Sequence, residues 1–378
     1  MNIVWDYKTN NSIIQYNLTL LKYLYDTWIL NLPQILPFYA VKCNPDILVL
    51  QEMQKMGMQF DCASMHEMQT CINLKIDPHK IIYANPCKFE KDILYALQNG
   101  VTMMTFDTIC ELDKIYNVCN SVENICISDL QLVLRIYASD STAQCVLSDK
   151  YGAYEHEWDD LLTHAKTLHF NIIGISFHIG SGASNPEIFK EAIQKSRKLY
   201  ELALLYGFKV HILDIGGGFT SKNLTVMAQS INDALQIYFP PELGCTIIAE
   251  PGRYFAETIA TFYTKIIGKR TRHDGRIDYI VSDSLYGLFN CKLYDHACIP
   301  IPEILYSDTN TYNRKIQHQT RIMGCTCDSN EILFDNIFLP EMVYGDWLCI
   351  KNFGAYTICA TSSFNGINFK DIHHIYNI

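Results

Sequence analysis

Short apolar runs and amphipathic helical patterns alternate along the first two-thirds of the chain. Eight runs read as buried strands: residues 37–41, 59–60, 81–83, 103–106, 131–134, 172–177, 210–213 and 246–249. Between them, apolar positions recur at helical spacing over 46–55, 65–74, 90–98, 109–116, 155–168, 186–206 and 224–238. Asp107-Thr108 is placed to cap the helix at 109–116. The apolar stretch 18–36 is broken by Lys22, Asp26, Asn31 and Pro33, which predicts an amphipathic helix rather than a membrane span. Strand and helix alternate from about residue 20 to 255, a pattern that suits parallel pairing. Eight repeats favour an α/β fold of the closed (β/α)8 TIM-barrel type over an open doubly wound sheet. After Pro251 the texture changes to short β-branched and aromatic runs, at 259–267, 277–281, 321–323, 347–351 and 355–360. These predict a C-terminal all-β domain, sandwich-like or barrel-like, joined by the N-terminal arm. The expected domains are a barrel over 18–256 and a β domain made of 1–17 with 257–378.

Polar residues collect just past the strand ends. Lys42, Asp61, Asn85, Asp107, Arg135, His178, the run Gly216, Gly217 and Gly218, and Glu250 follow the eight apolar runs in order. In a (β/α)8 barrel the loops leaving the strands open onto one face, so this series reads as one site.

Composition narrows the class. The chain has 378 residues, 49% of them hydrophobic, enough for large buried cores. A net charge of −10 offers no electrostatic footprint for nucleic acid or an anionic membrane. The one compact basic cluster, Lys269-Arg270-Thr271-Arg272, reads as a solvated turn. Fifteen cysteines, an odd number without framework spacing, point to reduced thiols in a cytoplasmic compartment. Cys325-Thr326-Cys327 lacks the second ligand pair of a zinc site, so no metal is expected. The N-terminus shows no basic and apolar secretory pattern.

Each chemically loaded residue also has an ordinary reading. A lysine ending an apolar strand can reach solvent, or it can lose its proton and attack an aldehyde. Three glycines after a strand can form a tight turn, or they can bring backbone N–H groups onto a phosphate. They are not the spaced dinucleotide fingerprint. His178 in His178-Ile179-Gly180-Ser181-Gly182 can be a satisfied histidine or a ring partner. Glu250 can pair with Arg253 beside it, or face a pyridine nitrogen and keep that nitrogen protonated.

Taken together, the set resembles the eukaryotic-type ornithine decarboxylases, pyridoxal 5'-phosphate (PLP) enzymes of the alanine-racemase-like fold group. The likeness runs from about residue 30 to the C-terminus through ungapped segments at 37–44, 60–64, 176–182, 213–219, 250–255, 286–297, 324–328 and 354–357. It implies that Lys42 holds PLP as a Schiff base, that Glu250 pairs with the pyridine N–H and that His178 stacks on the ring. It implies that Ser181, the backbone of Gly216, Gly217 and Gly218, Arg253 and Tyr356 hold the phosphate, with Asp61 and Arg135 around the cofactor and Lys42. Cys327 is implied as proton donor, Asp295 and Asp328 as acceptors for the substrate's distal ammonium, and Tyr286, Tyr294 and Phe364 as wall residues. The family likeness further implies a homodimer with shared sites, in which Lys150 pairs with Glu331 of a second copy.

The implied reaction is decarboxylation of L-ornithine to putrescine in polyamine biosynthesis. L-Lysine or L-arginine is the alternative substrate, and a non-catalytic regulatory homologue or a racemase is a weaker alternative. Cys325 stands where the family carries proline. Lys150-Tyr151-Gly152 resembles the segment after a mobile family loop, which places that loop at 139–149.

Overall fold

A computed structural model describes residues 12–122, 125–138, 144–145, 150–307, 316–369 and 372–377. The loop expected at 139–149 therefore lies almost wholly outside the described residues. The chain divides into two compact units, Leu21–Phe255 and Met1–Leu20 with Ala256–Ile378.

In the first unit eight parallel strands close a barrel: β2 (Ile35–Ala40), β3 (Gln59–Cys62), β4 (Ile81–Tyr83), β5 (Met103–Phe106), β6 (Gln131–Arg135), β7 (Ile172–Ser176), β8 (Ile212–Asp214) and β9 (Thr246–Ala249). Each pairs with the next, and β9 returns to β2 with Leu36 opposite Ile248. Phe38, Ile82, Met103, Val133, Ile173, Ile212 and Ile248 fill the interior as one buried cluster. Gly174 sits among them because a Cβ there would lie 3.0 Å from the Ile212 Cβ. The interior is thus a packed core and not a channel.

Helices follow the strands: α1 (Thr19–Asn31) precedes β2, and α2 (Ile47–Lys55), α3 (Met65–Asn73), α4 (Glu90–Gln98), α5 (Ile109–Asn120), α6 (Trp158–Thr167), α7 (Glu187–Leu205) and α8 (Leu224–Tyr238) alternate with the strands thereafter. Their starts obey local capping chemistry. Asp46 accepts the amides of Leu48 and Val49, and Thr108 accepts that of Glu111. Three strands run further than their apolar residues indicate, to include Asp61, Arg135 and Asp214. Main-chain pairing continues through these polar positions, with Asp61 between Ala40 and Ile82 in the ladder.

The second unit is β-rich. β1 (Ser12–Asn17) pairs antiparallel with β10 (Ala260–Thr271) and parallel with β16 (His373–Asn377). The remaining strands are β11 (Ile277–Val281), β12 (Glu303–Leu305), β13 (Gln317–Met323), β14 (Ile332–Pro340) and β15 (Trp347–Lys351), in the order β12-β15-β10-β11-β13-β14. The strand expected at 355–360 does not form. Tyr356 takes a left-handed backbone (φ 55°) and Ile358–Ala360 makes a 3-10 turn, both incompatible with a ladder. β12, β14 and β16 were not anticipated; charged and polar residues interrupt their apolar pattern.

Candidate active site

Lys42 lies in a 3-10 turn, Val41–Cys43, that ends β2. Two positions earlier Ala40 is opposite Asp61 in the ladder, which brings the Asp61 carboxylate against the Lys42 ammonium as an ion pair. Asp61 is fully buried, and the Lys42 side chain is 37% exposed. Burial raises the Asp61 pKa, and the nearby charges of Lys42 and Arg135 only partly offset it. Arg135 ends β6 with its guanidinium over the Tyr151 ring, 5.2 Å from the centroid.

The loops after β7, β8 and β9 interlock. The amide of Glu250 donates to the Gly216 carbonyl at 2.7 Å. The amide of Gly216 donates to Asp214 Oδ1 at 2.9 Å. Each residue of the glycine run is constrained by its neighbours. A Cβ at Gly216 would lie 2.2 Å from the Phe177 carbonyl oxygen, and one at Gly217 would lie 2.7 Å from His178 Nε2. Gly218 takes φ of +106°, open to glycine but rarely to other residues. His178 Nδ1 accepts the Gly180 amide at 3.0 Å, so a neutral ring carries its proton on Nε2. Burial, with the charges of Arg135 and Lys42, pushes its pKa well below the usual range and keeps it neutral. Arg253, in a short helix (α9, Arg253–Ala256), donates through Nη2 to Ser181 Oγ at 3.1 Å. Its neighbour Tyr254 anchors that helix by donating to the Leu24 carbonyl at 2.8 Å and packing on Trp28.

Glu250 is buried, and its Oε1 has no hydrogen-bond partner among the described residues. Burial, then the carboxyls of Asp214 and Asp61, drive its pKa well above the carboxylate range. Asp214, also fully buried, is pushed up to about 7 by burial, against the Gly216 amide that favours its charged form. Such a buried acid is completed by a cationic N–H. With a lysine amine, a neutral imidazole and a glycine cradle beside an arginine and a serine hydroxyl, these residues fit PLP. The pyridine nitrogen would face Glu250, and the phosphate would face Ser181, Arg253 and the glycine run.

The barrel unit thus brings Lys42, Asp61, Arg135, His178, Asp214 and Glu250 into one electrostatic neighbourhood. Two members escaped sequence reasoning. Asp214 was readable only as part of the segment before the glycine run. Glu67 senses the Lys42 charge, and burial raises its pKa. Its signal was Ser64-Met65-His66-Glu67: Ser64 Oγ accepts the Glu67 amide at 3.3 Å, and Glu67 Oε2 accepts the Ala63 amide at 2.7 Å.

The β unit gathers a second group. Tyr286 donates its hydroxyl to Asp328 Oδ2 at 2.9 Å and stacks on Phe364 with centroids 4.2 Å apart. The amide of Asn330 and the Tyr286 hydroxyl hold the Asp328 pKa below the usual range. The Cys327 amide donates to Asn365 Oδ1 at 2.9 Å, and the Cys327 side chain is exposed. Asp295 is buried just after a short helix (α10, Cys291–Tyr294), whereas Tyr294 is exposed. Tyr356 is half-buried. The expected pairing of Lys150 with Glu331 is not favoured. Glu331 is fully buried, with both carboxylate oxygens taken by donors of its own unit. No cluster of three or more potential metal ligands occurs among the described residues. No helix there is long and apolar enough to cross a membrane.

Comparison with known proteins agrees with this chemistry. The family model described as "Pyridoxal-dependent decarboxylase, pyridoxal binding domain" matches residues 19–257. The ornithine decarboxylase of Rattus norvegicus is 39% identical over 373 residues, covering 92% of this chain and 77% of the rat protein. That of Schizosaccharomyces pombe is 40% identical over 355 residues, covering 92% and 79%. Among solved structures, the arginine decarboxylase of Paramecium bursaria Chlorella virus superposes with a TM-score of 0.89 at 36% identity, covering 98% of this chain and 96% of that one. The family match spans well over half the chain and contains the whole constellation around Lys42 and Glu250. The chain belongs to the pyridoxal-dependent decarboxylases.

Proposed function

We propose that this protein decarboxylates L-ornithine to putrescine and carbon dioxide, with Lys42 as the cofactor-bearing lysine. The observation that carries the chemistry is Lys42 held by fully buried Asp61, both within electrostatic reach of a Glu250 whose Oε1 has no hydrogen-bond partner among the described residues. Ornithine as substrate is supported by two ornithine decarboxylases of about 40% identity over 92% of the chain. PLP, when bound, supplies an aldehyde for the substrate amine and a ring that takes up the electron pair left when carbon dioxide departs.

The protein's residues act around that chemistry. Asp61 Oδ2 holds or accepts the Lys42 Nζ proton, which sets when the amine is nucleophilic. Glu250, in charged form, would stabilise a proton on the cofactor's ring nitrogen. His178 stays neutral, so it packs on a ring without competing for that charge. Arg253, Ser181 and the amides of Gly216, Gly217 and Gly218 would hold the phosphate, with Tyr356 as a further ligand. Arg135 balances the buried acids. The thiol of Cys327 delivers a proton to the reacting carbon, Asp295 and Asp328 accept the distal ammonium, and Tyr286, Tyr294 and Phe364 line its path.

We propose further that the chain acts as a cytoplasmic homodimer in which the β unit of one copy completes the site on the barrel of the other. The exposed Cys327, Tyr294 and Phe364 support the shared site, and fifteen cysteines without framework spacing support the compartment. A second substrate reading, arginine, is favoured by the viral arginine decarboxylase of similar fold. Specificity constants of the purified PLP-loaded protein for L-ornithine, L-lysine and L-arginine decide between them. Ornithine is expected to lead, and a higher constant for either other amino acid would overturn the assignment.

A further inference from the structure

Two segments of the β unit, residues 283–290 and 324–331, meet on one carboxylate. Glu331 is fully buried. Its Oε1 accepts the Ser284 hydroxyl and, at 3.0 Å, the Leu285 amide. Its Oε2 accepts the Thr326 amide at 2.9 Å and the Thr326 hydroxyl at 2.5 Å. The segment closes tightly over this group: a Cβ on Gly324 would lie 2.7 Å from the carboxyl atoms. The main chains are tied as well, through the Gly324 amide to the Glu331 carbonyl at 3.0 Å and the Cys325 amide to the Asp283 carbonyl at 3.1 Å.

Each hydroxyl bound to Glu331 passes the restraint onward. Ser284 Oγ accepts the Tyr286 amide at 2.8 Å. Thr326 Oγ1 accepts the Asp328 amide at 3.3 Å. The two residues reached in this way bond to each other, Tyr286 hydroxyl to Asp328 Oδ2, at 2.9 Å. The result is a closed ring, from Glu331 through Ser284 to Tyr286 and through Thr326 to Asp328. An acceptor-only group is required at its hub. An amide in place of the carboxylate would turn an NH2 toward donors that are already buried and leave them unsatisfied.

We infer that Glu331 is a positioning residue that sets where the Asp328 carboxylate stands, and through it the affinity for a substrate's distal ammonium. The inference rests on the proposed role of Asp328 as acceptor for that ammonium. It assigns to Glu331 an internal role instead of an ion pair with another copy.

The test uses the PLP-loaded full chain and the variant Glu331→Gln. The glutamine carbonyl still accepts from one side, so hydrogen exchange is expected to quicken roughly tenfold at whichever of the Leu285 and Thr326 amides faces the new NH2. Putrescine affinity, read by calorimetry, is expected to weaken roughly tenfold, while butylamine, which lacks the second cation, binds as before. The visible absorbance of the lysine-bound cofactor should persist. In an Asp328→Asn background Glu331→Gln should weaken putrescine no further. Thr326→Val should act in the same direction and Thr326→Ser should restore, which keeps the test intact should Glu331→Gln not fold. Unchanged exchange, equal weakening of both amines, or full additivity with Asp328→Asn would overturn the inference. If Asp328→Asn itself binds putrescine normally, the reading of Asp328 fails and the substrate half of the inference with it. That outcome is recognisable because exchange in Glu331→Gln is still fast.

Discussion

Gly252 and Cys43 pack so closely that a Cβ on Gly252 would lie 2.8 Å from the Cys43 Cβ. The loop that carries Glu250 and Arg253 therefore rests on the turn that carries Lys42, helped by the Ala40 amide donating to the Pro251 carbonyl at 3.3 Å. Gly252→Ala is expected to push these two parts of the cofactor site apart. Overpacking of this kind costs about 1–3 kcal/mol of stability. We expect a lower melting temperature and weaker PLP binding, measured by titrating PLP into stripped protein. Cys43→Gly in the same chain should recover part of both.

Removal of Lys42 separates chemistry from stability. Lys42→Ala should abolish turnover and the imine absorbance band. It also leaves the Asp61 charge buried without its ion-pair partner, which is destabilising. Denaturant midpoints should therefore fall in Lys42→Ala and partly recover in the double variant Lys42→Ala/Asp61→Ala. A Lys42→Ala protein with normal activity would end the assignment.

Glu250→Gln keeps the shape of the side chain and removes its charge. With a neutral amide the proton on the facing ring nitrogen loses its stabilisation, and kcat is expected to fall by roughly two decades, as for loss of other charge-stabilising groups. Single-turnover kinetics should place the loss in the chemical step, with substrate binding nearly unchanged.

The buried Asp214 predicts a pH dependence in the cofactor-free protein. Its pKa is raised from 3.8 to about 7 on folding, so between these values the folded state holds a proton that the unfolded state has lost. This contribution is fully present below the lower value and is lost as pH rises through about 7. It changes stability by about 1.4 kcal/mol per pH unit for one proton. Asp283 in the β unit is likewise pushed up to about 7 by burial and should add a similar slope. Urea midpoints compared across this range should fall less steeply in Asp214→Asn than in the parent.

The proposed sharing of sites between two copies makes a quantitative prediction. Lys42→Ala and Cys327→Ala proteins should each be nearly inactive. In a random mixture half of the dimers are hybrids, and each hybrid holds one site with both residues intact. Activity should therefore recover to about a quarter of the parent value. No recovery after subunit exchange, followed by mass spectrometry of the hybrids, would rule out the composite site.

Much of the barrel site could be read because its residues sit at strand ends, where a short continuous apolar run gives way to polar chemistry. Lys42 after β2 and Glu250 after β9 were visible for that reason. Asp214 was harder to recognise because it completes a strand and looks like part of the ladder. Glu331 was misread because nothing in Cys327-Asp328-Ser329-Asn330-Glu331 reveals whether its carboxylate points outward or is taken up by Ser284 and Leu285, more than forty residues earlier. The same applies to Tyr356, whose left-handed backbone breaks what looked like a strand.

The sequence alone determined the eight-fold strand and helix alternation, the change to β structure after Pro251 and the residue types available for PLP chemistry. These follow from local periodicity, capping and turn preferences, which act over a few residues. Only the tertiary structure decided which acids are buried, that Glu250 keeps an oxygen without a partner among the described residues, and that Gly252 packs directly on Cys43. Burial, charge proximity and steric contact join residues far apart in the chain, and they exist only once the chain has folded.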